Sequence, residues 1–149
     1  MMHRVAGRRL GRNTAHRSAL RRNMIRALFQ EHRIVTTLVK AKEMRPHAER
    51  LITLARAAVA EEKGKNVAKI RRIVTALGNN AIAKQVTRHL LNDIAPTFAD
   101  RPGGYTRILR LAQRRLGDAG TKAILELVNY KPQPKAIPSG AKNKEKKAE

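Results

Sequence analysis

The first 30 residues of this chain carry eight arginines (Arg4, Arg8, Arg9, Arg12, Arg17, Arg21, Arg22 and Arg26) and not one aspartate or glutamate. A segment like this has no acid of its own to neutralise it, and unpaired charge is excluded from an apolar core. It must lie on a surface or reach towards something anionic. The surplus extends to the whole chain, with 33 Lys+Arg against 11 Asp+Glu and a net charge of +22 over 149 residues. That length suits one domain with tails, a domain being roughly 100–200 residues. A single domain so charged repels itself, and bound phosphates would relieve the repulsion.

The charge divides the chain. Residues 1–13 read as a basic arm with glycine joints at Gly7 and Gly11. Residues 14–130 are richer in apolar side chains and closer to balance. Residues 131–149 hold six lysines against Glu145 and Glu149, are broken by Pro132, Pro134 and Pro138, and are expected to be disordered. Hydrophobic content of 42% is enough for a core, so wholesale disorder is excluded. The absence of cysteine excludes a disulfide scaffold, zinc knuckles and a thiol nucleophile. No apolar run approaches the roughly 18–20 residues of a membrane span, and the start MMHRVAGRRL lacks the apolar stretch of a signal peptide.

Periodicity and capping signals predict the elements. Asn13 or Thr14 caps a helix running to about Gln30, with Leu20, Met24, Ala27 and Leu28 as its buried stripe. RIVTTL (33–38) is short and β-branched, as a strand would be. A long helix follows with Ala48, Leu51, Ile52, Ala55 and Val59 on its apolar face and Gly64 near its end; Pro46 requires either a kink or a restart. Shorter helices are predicted over 66–77 (Val67, Ile70, Val74, Leu77) and 80–91 (Ile82, Val86, Leu90), separated by Gly78-Asn79-Asn80. After Pro96 and the turn-rich ADRPGG, the runs YTRILRL (105–111) and TKAILELV (121–128) flank Gly117-Asp118 and read as an antiparallel hairpin. The first of them is also compatible with a helix through Arg114. The early strand needs a partner, and this hairpin is the only candidate, which makes the body α+β.

The sequence offers poor material for catalysis. His3, His16, His32, His47 and His89 are scattered without metal-ligand spacing, and Glu61-Glu62 is the one acidic pair. Gly103-Gly104 precedes a strand without any nucleotide-binding motif, yet it is flanked by Arg101 and Arg107 and suits a close backbone approach to phosphate. The strongest signal stays in the arm. A helix N-terminus carries partial positive charge and unpaired N–H groups, normally offset by an acid. Here the first turn holds Ala15, His16 and Arg17. Arginine's planar fork suits bidentate phosphate contact. Aromatic side chains are only 3% (Phe29, Phe98, Tyr105, Tyr130), so the pattern of a base-stacking module is absent. Composition leaves RNA and DNA equally open, and predicts steep salt dependence.

Three motifs, in order, carry a resemblance. HRVAGRRLGRNTAHRSALRRNM, then HRIVTTLVKAKEMRPHAERLITLAR, then RPGGYTRIL resemble the bacterial-type large-ribosomal-subunit protein family numbered seventeen. The resemblance covers about residues 2–130. It implies an α+β body with a small mixed sheet of about three strands packed against three to four helices, a basic N-terminal extension, and no catalytic activity or cofactor. It also implies a structural constituent of the large ribosomal subunit that binds large-subunit rRNA near the peptide exit side, among neighbouring large-subunit proteins. The matching positions are His3, Arg4, Gly7, Arg8, Leu10, Arg12, His16 and Arg17 in the arm, Arg22, Asn23 and Met24 in the helix, Thr36, Thr37 and Lys40–Glu43 next, and Gly103–Arg107 late. Two positions depart: Pro46 replaces an ordinary helical residue, and Arg50 stands where the family pattern leads one to expect proline.

The rRNA contacts expected on these grounds are His3, Arg4, Arg8, Arg9, Arg12, Asn13, His16, Arg17, Arg21, Arg22 and Asn23, joined by Lys40, Arg101, Gly103, Gly104 and Arg107. No membrane or small-molecule partner is expected. The rival reading is a free, nucleoid-type nucleic-acid-binding protein, which should show a reader helix or two-fold spacing; neither is evident. With the motif starting at His3, bacterial cytoplasm is expected rather than an organelle.

Overall fold

The computed structural model describes residues 7–61 and 66–128. His3, Arg4, Gly64, Tyr130 and the lysine-rich tail lie outside those residues.

Helix α1 (Thr14–Glu31) begins where the local chemistry requires: Asn13 is the N-cap, and its Oδ1 accepts the His16 N–H at 2.8 Å. It ends at His32, which adopts the left-handed conformation (φ 58°) and turns the chain into strand β1 (Arg33–Thr37). Helix α2 (Leu38–Val59) then runs without interruption past Pro46. The proline removes the N–H that would bond the Lys42 carbonyl, but both residues are exposed and water can reach that carbonyl. No restart is needed.

Helix α3 (Val67–Leu77) closes on Gly78 at φ 108°, whose N–H bonds back to Val74 and Thr75, and Asn80 caps α4 (Ala81–His89) through the Ala83 N–H at 2.9 Å. The sequence signals ended this helix near Leu91. Instead the chain continues through a π-helical turn (Leu90–Ile94) into a short helix α5 (Ala95–Thr97). Pro96 lies in α5, directly after that turn.

Strands β2 (Thr106–Arg114) and β3 (Thr121–Leu127) form the hairpin, which settles the helical alternative for Tyr105–Arg114 in favour of a strand. The sheet order is β1-β3-β2. Both pairings are antiparallel, so the sheet is antiparallel throughout rather than mixed. A turn of a few residues forces β2 and β3 antiparallel, and β1 joins the other edge of β3 with the same relative direction. A register shift between Arg110 and Arg114 marks an irregularity in β2.

The core lies between the helices and one face of this sheet. Leu28, Phe29, Met44, Ile52, Ile73, Leu77, Leu90, Phe98, Tyr105 and Leu125 are fully buried. On α1 the buried stripe is Ile25, Leu28 and Phe29, so Leu20, Met24 and Ala27 are only half-buried. On α2, Ala58 is buried and Val59 is exposed; on α3 and α4, Val67 and Ile82 are exposed while Ile73 and Ala83 take the core positions. Ala48, Leu51, Ile52, Ala55, Leu77, Val86 and Leu90 are buried as expected, whereas the α1 face is rotated by about one residue, because the partner helices select among overlapping apolar stripes.

Candidate nucleic-acid interface

The described part of the arm is tied to the body by an acid from α2. The backbone N–H of Arg8 donates to Glu43 Oε2 at 2.9 Å. Glu43 is buried, and it also faces Arg21 (3.9 Å) and His47 (3.7 Å). Gly7, at φ 99°, passes so close that a Cβ there would lie 3.2 Å from Glu43 Oε1. Leu10 and Gly11 also take positive φ, and the Arg12 N–H bonds to the Arg9 carbonyl, so the arm turns sharply before the helix cap.

This geometry gathers the predicted arm residues at one end of α1. Arg8, Arg9 and His16 are exposed; Arg12 donates to the Leu10 carbonyl (2.9 Å) and to His16 Nε2 (3.3 Å); Arg17 reaches Thr14 Oγ1 (3.4 Å). The Asn13 side-chain oxygen is engaged by the cap. The first turn of α1 contains no acid, as expected from the sequence. A positive helix end, an exposed arginine cluster and no local counter-charge together form a surface suited to phosphate.

The remaining predicted residues fall into separate places. Arg21 and Arg22 line a groove of about 380 Å³ between α1, α2 and α3. Asn23 and Lys40 share a shallow groove of similar size with Met24 and Val35. Gly103 and Gly104 border a third groove, of about 590 Å³, beside Pro46 and Arg50 on α2. Arg101 is half-buried in the loop after α5.

Arg107 stands apart, because it pairs with Glu126, which is buried on the central strand and also holds Arg33 at 3.4 Å. The three residues lie on one row across β1, β3 and β2, so Arg107 first serves the sheet. Among the described residues Arg9, Arg22, Lys40, Arg50 and Arg101 hold no ion pair, whereas Glu43, Glu49, Glu61, Asp93, Asp118 and Glu126 are each paired to a basic side chain.

Three participants escaped sequence reasoning. Glu43 anchors the arm from 35 residues away, and no local pattern announces that. His47 and Arg50 line the Arg21–Arg22 groove; Arg50 had been visible only as a departure from the family pattern. The His47 pKa is lowered chiefly by burial and then by the Arg21 and Arg50 charges, with Glu43 acting in the opposite sense. Arg26, one of the eight arginines of the first 30 residues, donates to the Leu77 carbonyl that ends α3.

Phe29, Phe98 and Tyr105 are buried, Phe98 and Tyr105 edge to face at 5.3 Å, so the described sheet presents no aromatic stacking platform. Among the described residues no group of three or more His, Asp or Glu is placed to hold a metal ion, and no helix is long and apolar enough to cross a membrane.

Comparison with known proteins assigns this architecture. The family model of "Ribosomal protein L17" matches residues 20–128. The chain is 44% identical to the large ribosomal subunit protein bL17 of Desulfotalea psychrophila, over 87% of this chain and 92% of that protein. It is 47% identical to the protein of the same name from Koribacter versatilis, over 86% of this chain and 72% of the relative. The Lactobacillus helveticus protein is 43% identical and covered over its whole length. Relatives of this kind are structural ribosomal proteins rather than enzymes. The chain belongs to the ribosomal protein L17 family.

Proposed function

We propose that the protein is a structural constituent of the large ribosomal subunit that binds and stabilises large-subunit rRNA near the peptide exit side, with its arm (residues 1–13) and the basic face of α1 as the principal contacts. The observation that carries this is the arrangement around Asn13. Arg8 is fixed to Glu43 through its backbone, which leaves its guanidinium free to act outward beside Arg9, Arg12, His16 and Arg17. The phosphates of a folded RNA supply the acid that the first turn of α1 lacks, and allow RNA segments of like charge to pack closely. Lys40, Arg101 and the Gly103-Gly104 loop are secondary contacts, and neighbouring large-subunit proteins complete the surroundings.

Fractionation of a lysate on a sucrose gradient tests the assignment. Stoichiometric comigration with the large subunit through a moderate salt wash is the expected result, and mostly free or DNA-associated protein overturns it. Deleting residues 1–12 should impair incorporation while the body stays folded; normal assembly of that variant refutes the clamp role of the arm.

A further inference from the structure

A second anion site stands on the body itself, beside the Glu43 anchor of the arm. In the groove between α1, α2 and α3, Arg21 and Arg22 come from α1, His47 and Arg50 from α2, and Thr75 from α3. Arg21 Nε is buried there without a hydrogen-bond partner, although buried donors are almost always satisfied. Its one acidic neighbour, Glu43, is 3.9 Å from the other end of the guanidinium and already accepts the Arg8 N–H. Arg22 and Arg50 have no ion pair among the described residues. Arg21, Arg22, Arg50 and His47 therefore line about 380 Å³ of open space, and Glu43 is shared between Arg21 and His47.

We propose that this groove is a phosphate-binding pocket for the RNA backbone, in which the side chains of Arg21, Arg22 and Arg50 hold a phosphodiester oxygen pair and His47 donates a further hydrogen bond. This deepens the rRNA-binding reading and rests on it. Arg50 and Leu54 also line the adjoining groove that contains Gly103 and Gly104, so a backbone leaving the pocket continues over α2 to the glycine loop. Arg50, the departure from the family pattern, is the junction.

His47 reports occupancy. It faces Arg21 across the groove and Glu43 and Arg50 on its own helix, while α3 presents uncharged Thr75 and Ala76. Burial, then Arg21 and Arg50, lower the His47 pKa against the pull of Glu43; a bound phosphate adds negative charge beside it and favours proton uptake.

The test uses the full chain and a transcript of large-subunit rRNA, with affinity measured between 50 and 200 mM salt. Arg50→Ala and Arg21→Ala should each reduce the slope of log affinity against log salt by about 1, which over that fourfold range is about 3.5-fold. Arg50→Lys should keep the slope. Arg50 is exposed, so its substitution leaves the fold intact even if Arg21→Ala does not. In parallel, the His47 imidazole titration followed by NMR should move upward when the transcript is bound. Wild-type slopes in both alanine variants together with an unmoved His47, in a chain that still binds rRNA, overturn the pocket and leave the broader reading standing. A His47 response to inorganic phosphate alone, with none to RNA, overturns the assignment to RNA. Failure of the wild-type chain to bind rRNA overturns both.

Discussion

The Arg8 backbone N–H and the Glu43 carboxylate meet at 2.9 Å across 35 residues of sequence. An arm that contains no acid is thus held by one of the few acids of α2, and it is held by its backbone. The arrangement fixes where the arm leaves the body without spending an arginine charge, and it makes Glu43 a positioning residue for the whole N-terminal surface.

Replacing Glu43 should therefore release the arm. Glu43→Ala removes the acceptor for Arg8 and the shared partner of Arg21 and His47, with an expected loss of about 1–3 kcal/mol in denaturant unfolding. The Arg8 amide should exchange with solvent much faster. Glu43→Gln keeps an acceptor oxygen and should retain part of the protection. Unchanged exchange at Arg8 in the alanine variant would show that the anchor does not hold the arm.

Gly78 is constrained twice. It takes φ 108°, and a Cβ there would collide with the Arg26 guanidinium that caps the Leu77 carbonyl. Gly78→Ala should cost about 1–3 kcal/mol. Because part of that cost comes from one side chain meeting another, the Arg26→Ala, Gly78→Ala double variant should lose less than the sum of the single losses. Strict additivity in a double-mutant cycle would contradict the contact.

Stability should rise with pH across the histidine range. His32 is half-buried, with its Nε2 at 3.3 Å from that of His89, and its pKa is lowered first by burial and then by the His89 charge, against Asp93 and Glu31. His47 is lowered as well. The unfolded chain, with histidine near its ordinary value of about 6.5, binds more protons than the folded one just below that pH, so unfolding free energy increases as pH rises. The contribution is fully present above about pH 6.5 and is lost as pH falls from there towards the folded pKa values. Thermal unfolding between pH 5 and 7.5 should show it, and His32→Asn with His47→Gln should flatten the profile. Asn tolerates the left-handed backbone at position 32.

Arg107 should behave as a sheet residue before it behaves as an RNA ligand. Its guanidinium and that of Arg33 flank Glu126, which is almost fully buried. Arg107→Ala is expected to lower stability by about 1 kcal/mol while changing rRNA affinity less than Arg50→Ala does. Glu126→Ala, which leaves two arginines facing each other across β3, should be the more destabilising change.

Much of this molecule was legible because it depends on near neighbours. The Asn13 cap, the Gly78-Asn79-Asn80 break and the β2–β3 hairpin each require only a few consecutive residues, and the acid-free arm is a property of composition. Pairing of β1 with the hairpin followed by elimination. That β3 takes the centre was not read from sequence; its buried run from Ala123 to Leu127 follows from having a strand on each edge, with Glu126 covered by Arg33 and Arg107.

The buried face of α1 differs by about a residue from the one its apolar spacing predicts. α1 carries overlapping apolar stripes, and only contact with its neighbours selects Ile25, Leu28 and Phe29 over Leu20 and Met24. The fate of each arginine was hidden for the same reason. Sequence alone determined that the chain is basic and α+β, with an N-terminal helix whose first turn holds no acid, since charge, capping and periodicity are local. Tertiary structure alone decided that Arg26 caps α3, that Arg107 serves Glu126, and that Arg21, Arg22, His47 and Arg50 share one groove. Identical side chains acquire different roles only when packing brings a distant carbonyl, a buried carboxylate or an empty space within reach.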